Sequence, residues 1–129
     1  MIPLDLTQVV LLLLLALFTK HFIIDFPLQA PYQYLNKGTY GHPGGLLHSA
    51  LHAVGTWMCL ATLGLYTHIF AIALVDGIIH YHIDWSKVRI NAHYGWGATT
   101  HSQFWILLGL DQFLHALTYI GIAAYVAFG

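Results

Sequence analysis

The chain has 129 residues, of which 58% are hydrophobic and only 7% charged, where ordinary soluble domains carry about a quarter. Nine charged side chains cannot coat such a surface in water, so the composition implies one small domain with a lipid-facing exterior. Four Lys and Arg against five Asp build no basic stripe, which excludes nucleic acid as a partner.

The predicted elements are four transmembrane helices in an all-α, polytopic, up-down bundle that takes up residues 1–129 as a single domain. The spans run at about 6–26, 46–63, 68–85 and 103–128, each near the 20 residues a bilayer crossing needs. The apolar run at the N-terminus lacks the preceding positive charge and following small-residue site of a signal peptide, and is taken as the first span. Pro27, Pro31, Gly38, Gly41 and Pro43 mark the first connection, Gly64 to Thr67 a very short second one, and Asn91 to Thr100 the third. Lys37 lies in the first connection, Lys87 and Arg89 at the third, and Lys20 near the same end of the first span. The positive-inside rule makes that end cytoplasmic and both termini external, as in a bacterial inner membrane. Trp85, Trp96 and Trp105 gather toward this end with several tyrosines, as an interfacial belt would.

Ten histidines and no glutamate stand out in so uncharged a chain. Each span carries one four-residue spacing: His21 and Asp25, His48 and His52, His80 and Asp84, Asp111 and His115. Residues i and i+4 share a helix face. Counted from the span ends at about 1.5 Å per residue, Asp25, Asp84 and His48 fall in the first turn, His21, His52 and His80 some 6 to 9 Å deep, and Asp111 and His115 about 12 to 18 Å deep. All four pairs therefore belong to one leaflet, and Asp76 extends the His80 face toward the bilayer centre. An intramembrane carboxylate costs about 2.5 to 3.5 kcal/mol or more. Lys20 and Lys87, near span ends, are expected to snorkel to the interface and leave Asp76 and Asp111 uncompensated.

Divalent cations balance such carboxylates, and neutral imidazoles complete their coordination. The expectation is an intramembrane site of one or two ions near the cytoplasmic face, with His21, Asp25, His48, His52, Asp76, His80, Asp84, Asp111 and His115 as ligands or their holders. Nitrogen and oxygen donors without sulfur suit Zn, Mn or Fe. The lone Cys59 lies in an apolar run and offers no thiolate site. The competing reading of each pair is a buried His to Asp hydrogen bond that packs helices. A third reading is bis-histidine haem, because His68 and His82, like His101 and His115, are fourteen residues apart.

The segments His21-Phe-Ile-Ile-Asp25-Phe26-Pro-Leu-Gln29, Asn36-Lys37, Leu47-His48, His80-Tyr-His-Ile-Asp84-Trp-Ser-Lys87 and Leu110-Asp111-Gln112-Phe-Leu-His115 occur in this order. From about Leu15 to Tyr125 the chain resembles a family of small bacterial and phage membrane proteins catalogued as domain of unknown function 3307. The resemblance points to His21, Asp25, Gln29, Lys37, His48, His80, Asp84, Lys87, Asp111, Gln112 and His115, and it implies no reaction. Pro27 and the glycine-rich and histidine-rich third connection depart from the family pattern. A looser similarity to membrane-bound metal-dependent hydrolases is one of fold type only.

Without glutamate there is no zincin helix, and Ser49, Ser86 and Ser102 lie in no nucleophile elbow. The enzyme class left open is metal-activated water attacking a lipid ester or phosphoester. Gln29 and Gln112 would orient water or substrate, and Lys37 and Lys87, with Arg89, would hold a lipid phosphate. The alternative class is a non-enzymatic membrane subunit, assembly factor or proton-relay component. Expected partners are membrane lipids, and a homo-oligomer or larger membrane complex. An offset of fifty-nine residues superimposes His21 on His80 and Asp25 on Asp84, a hint of two related hairpins.

Overall fold

A computed structural model describes residues 4–129 and is all-helical over them. Helix α1 spans Leu6–Asp25, α2 Pro31–Tyr34, α3 Pro43–Thr62, α4 Ile69–Tyr94 and α5 Ser102–Phe128. The four long helices form a closed antiparallel ring in which each packs on its chain neighbours and α5 returns to α1.

Local chemistry sets the ends. Asp5 caps α1 through a reciprocal box, its carboxylate accepting from the Gln8 amide at 2.8 Å while the Gln8 side chain accepts from Asp5 N–H at 3.0 Å. Pro43 opens α3, where the His42 ring accepts from Gly44 N–H at 3.0 Å. Gly95 ends α4 in the left-handed conformation, at φ 65°.

The structure differs from the predicted boundaries in two places. Helix α4 does not stop near Trp85 but continues to Tyr94, because the polar residues after Trp85 lower hydropathy without opposing helix formation; Gly95 is the first residue that does. Asp84 is consequently not in a first turn but ten residues, about 15 Å, from the end of α4. The first connection, read as a loop, contains α2, which packs on α3.

Polarity is distributed inside out. Among the described residues, ten apolar side chains are buried against fourteen polar or charged ones. The apolar core, Leu13, Leu17, Leu60, Ile69, Tyr119 and Ile122, occupies the end of the bundle near the α3–α4 turn. The polar residues fill the opposite half. Outside, large apolar side chains are exposed on all four long helices, among them Leu15, Phe22, Val54, Met58, Phe70, Leu74, Ile106 and Phe113. Two of these helices, α1 and α5, are long and apolar enough by length and composition to cross a membrane, with mean hydropathy 2.0 and 1.4.

Candidate metal centre

The four-residue ladders place their side chains as the spacing requires. His21 and Asp25 come from the last turns of α1, His48 and His52 from the start of α3, His80 and Asp84 from the middle of α4, and Asp111 and His115 from the first half of α5. All eight are buried. Three groups bring ligand atoms close enough to hold an ion: Asp25 with His48, His52 and His80; His21 with His80 and His115; and Asp84 with Asp111 and His115.

The tightest convergence is at Asp25 Oδ1. His48 Nε2 approaches it at 3.0 Å, His52 Nε2 at 2.9 Å and His80 Nε2 at 3.6 Å. His48 Nε2 and His80 Nε2 are 3.1 Å apart, and Asp84 Oδ2 lies 3.4 Å from the first and 3.3 Å from the second. Donor atoms arranged tetrahedrally around an ion at 2.0 to 2.1 Å are separated by about 3.3 Å. Asp25, His48, His52 and His80 thus form one group whose ligand atoms lie within reach of a single ion, and Asp84 Oδ2 approaches it from the side of His48 and His80.

Hydrogen-bond partners assign the ring nitrogens. His48 Nδ1 faces Gln33 Oε1 at 3.3 Å, a carbonyl that only accepts, so Nδ1 carries the proton and Nε2 turns a lone pair toward Asp25, His80 and Asp84. A proton on His80 Nε2, 3.1 Å away, satisfies that lone pair, and a cation held among these atoms would do so as well. His52 is held the other way. Lys20 Nζ donates to Asp76 Oδ2 at 3.0 Å, to the Tyr119 hydroxyl at 3.2 Å and to His52 Nδ1 at 3.3 Å, which uses all three ammonium protons. His52 therefore carries its proton on Nε2 and donates it to Asp25.

His21 is fixed by the same logic. Gln112 donates its amide to Asp111 Oδ2 at 3.0 Å, which turns its carbonyl toward His21 Nε2, also at 3.0 Å. His21 Nε2 donates there, and its Nδ1 accepts from the Tyr119 hydroxyl at 2.9 Å. His21 and His52 are thus braces that aim neighbouring carboxylates, while His48 and His80 present free nitrogens.

The expected lack of counter-charges is corrected. Lys20 and Lys87 do not snorkel away from the carboxylates. Lys20 pairs with Asp76, Lys87 Nζ lies 3.0 Å from Asp111 Oδ2, and Lys37 Nζ 2.6 Å from Asp84 Oδ2. Inward bending buries Lys20 and Lys37 and neutralises acids. The stem of Lys20 crosses Gly55, where a Cβ would come within 2.6 Å of Lys20 Cγ. With every histidine neutral, three lysines against four carboxylates leave one negative charge in the cluster.

The remaining expected residues fall around this centre. Asp76 is held by Lys20 and by the Thr56 hydroxyl at 2.5 Å, and stands outside the groups that could hold an ion. Gln29 donates to the Asp25 backbone carbonyl. His68 and His82, of the haem reading, are exposed. His82 has both ring nitrogens engaged, with the Ile78 carbonyl at 2.8 Å and the Tyr40 hydroxyl at 3.1 Å. Sequence reasoning missed Gln33, Thr56 and Tyr119. Thr56 continues the His48, His52 ladder by four residues, and Tyr119 continues Asp111, His115 in the same way, so one more step along each face would have found them.

His115 Nε2, Asp84 Oδ1 and Asp111 Oδ1 are buried without a hydrogen-bond partner, His115 Nε2 lying 3.6 Å from each carboxylate oxygen. An apolar cleft of about 410 Å³ between α4 and α5 reaches this corner, where Lys87 and Asp111 form part of its wall. The cluster is therefore neither fully paired nor closed off.

These features define a class: an all-helical bundle with a lipid-like exterior and a buried His/Asp centre that could hold a metal ion. The chain belongs to the family described as protein of unknown function (DUF3307), which matches residues 12–128. No curated protein and no solved structure matches it.

Proposed function

We propose that this protein is an integral membrane metalloprotein with four membrane-crossing helices, which uses one divalent ion to hydrolyse a lipid ester or phosphoester at the membrane surface. Exposed apolar side chains on α3 and α4 as well as on α1 and α5 support four crossings, since soluble packing leaves no such continuous apolar exterior. Lys37, Lys87 and Arg89 at the centre's end of the bundle favour a cytoplasmic location for that end, with both termini outside.

The observation that carries the reading is the set of contacts between 3.0 and 3.6 Å that links Asp25, His48, His80 and Asp84. Two carboxylates and two imidazoles suit Zn, Mn or Fe. A divalent ion held by these residues would supply Lewis acidity and activate water for attack. The chain's own residues do the rest. Gln33 and His52 fix the ligands from behind, as partners of metal ligands do. His115 offers an unpartnered, buried Nε2 to hold a proton beside the centre. Lys37 and Lys87 present ammonium groups to an anionic oxygen.

The test is metal analysis of the full chain purified in mild detergent. About one ion per chain is expected, falling by at least an order of magnitude in His48→Ala and Asp84→Asn that retain wild-type helicity. A folded, metal-free wild-type protein overturns the reading and leaves a hydrogen-bonded packing network of a membrane subunit.

A further inference from the structure

From the cleft between α4 and α5 we infer that the occupant of the centre is an anionic phospholipid, with one acyl chain lying in the cleft and the phosphodiester at Lys87. The inference rests on the membrane setting and the single ion proposed above, and it names the substrate class.

The cleft is lined by Ile83, Ile90, Leu107, Leu110 and Leu114, and Lys87 and Asp111 lie within this wall as a polar pair. Along α4 its walls extend from Ile78 to Ile90, about 18 Å, close to one leaflet of a hydrocarbon core about 30 Å thick. A second cleft of about 540 Å³ shares Ile79 with it and continues along the same helix pair toward Ile122. Apolar walls of that length fit a hydrocarbon chain.

The polar pair selects the headgroup. Lys87 is the most exposed of the three cluster lysines, its side chain 23% accessible, against 5% for Lys20 and 7% for Lys37. Behind it lie the three unpartnered buried atoms, His115 Nε2, Asp84 Oδ1 and Asp111 Oδ1. One divalent ion turns the cluster's single negative charge into a single positive one. A monoanionic phospholipid neutralises that charge; a zwitterionic one leaves it unbalanced in a low-dielectric site. Phosphate oxygens also give the Lys87 ammonium an acceptor in the wall of the cleft.

The experiment is native mass spectrometry of the full chain, released in mild detergent and incubated with equal amounts of dioleoylphosphatidylglycerol and dioleoylphosphatidylcholine. The phosphatidylglycerol adduct is expected to exceed the phosphatidylcholine adduct by about fivefold, the contribution of one well-placed lysine. Lys87→Gln brings the two adducts to equality. Leu114→Trp and Leu107→Trp, which fill the cleft from different positions, each abolish the lipid adduct and leave the metal mass in place. Equal adducts on wild type, or a phosphatidylglycerol adduct that survives both tryptophan variants, overturns the inference. The metal mass in the same spectra reports on the centre separately, so loss of lipid selectivity with the ion retained leaves the metal reading standing.

Discussion

Replacing Lys20 with Met tests the charge arrangement directly. The ammonium is buried and spends its three protons on Asp76, Tyr119 and His52. In Lys20→Met the Asp76 carboxylate keeps only the Thr56 hydroxyl as a partner. Removing one member of a buried ion pair costs about 3 to 5 kcal/mol, because the other charge stays desolvated. Domains of this size have about 5 to 15 kcal/mol in all, so about a fifth or more of the stability should go. The double variant Lys20→Met/Asp76→Leu removes both charges at similar volume and should recover most of that loss. Far-UV circular dichroism during unfolding in mixed SDS micelles measures all three proteins. A single-variant loss below about 1 kcal/mol, the range of exposed pairs, refutes the buried pair. So does a double variant no more stable than the single one, since the cost would then come from lost packing.

Gln33→Ala should weaken metal binding about 10-fold to 100-fold without unfolding the protein, because it removes the carbonyl that holds His48 Nδ1–H; competitive chelator titration reads the affinity. Tyr119→Phe deletes the acceptor of Lys20 and the donor to His21, and should cost about 1 to 3 kcal/mol in the same unfolding assay. Gly77→Val should destabilise by about 1 to 3 kcal/mol, since even a Cβ at that position would lie 2.9 Å from Ala53 Cβ and 3.2 Å from the Ser49 carbonyl, where α3 and α4 pack most closely. Chelator treatment of the wild type should lower its unfolding midpoint, and stoichiometric zinc should restore it while leaving Asp84→Asn unchanged.

The i, i+4 spacings made the centre legible, because a helix face is a local property and four such faces at one depth can only meet inside a bundle. Charge pairing was not legible. Lys20 is next to His21 in sequence, and nothing local tells whether its long side chain bends inward across Gly55 or out toward an interface; the acceptors that decide it, Asp76 and Tyr119, come from α4 and α5. Lys37 and Gln33 were hidden for a similar reason. They belong to a connection whose prolines and glycines read as turn chemistry, while their partners Asp84 and His48 lie far along the chain. The end of α4 was missed because hydropathy falls at Ser86 whereas the helix continues until a residue that favours the left-handed conformation.

The two His–Asp pairs related by an offset of fifty-nine residues are alike within their own helices. His21 and Asp25 at the end of α1 are 3.3 Å apart, Nε2 to Oδ2, as are His80 and Asp84 on α4. Their surroundings then diverge. On α1 the imidazole proton is committed to Gln112, so His21 braces the neighbouring helix; on α4 the His80 Nδ1 has no partner and Nε2 faces the two carboxylates. Two equivalent pairs would make two weak half-sites, each short of ligands. Because one imidazole proton is committed to Gln112 and the other ring turns Nε2 inward, His80 faces both carboxylates, and His48 Nε2 lies 3.0 Å from Asp25 Oδ1 and 3.4 Å from Asp84 Oδ2. The asymmetry of hydrogen bonding, rather than the repeat of the motif, is what separates the roles of the two histidines. Replacing His21 with Asn, which can still donate to Gln112, should therefore preserve metal content, whereas the equivalent His80→Asn should abolish it; equal loss from both would refute the division of roles.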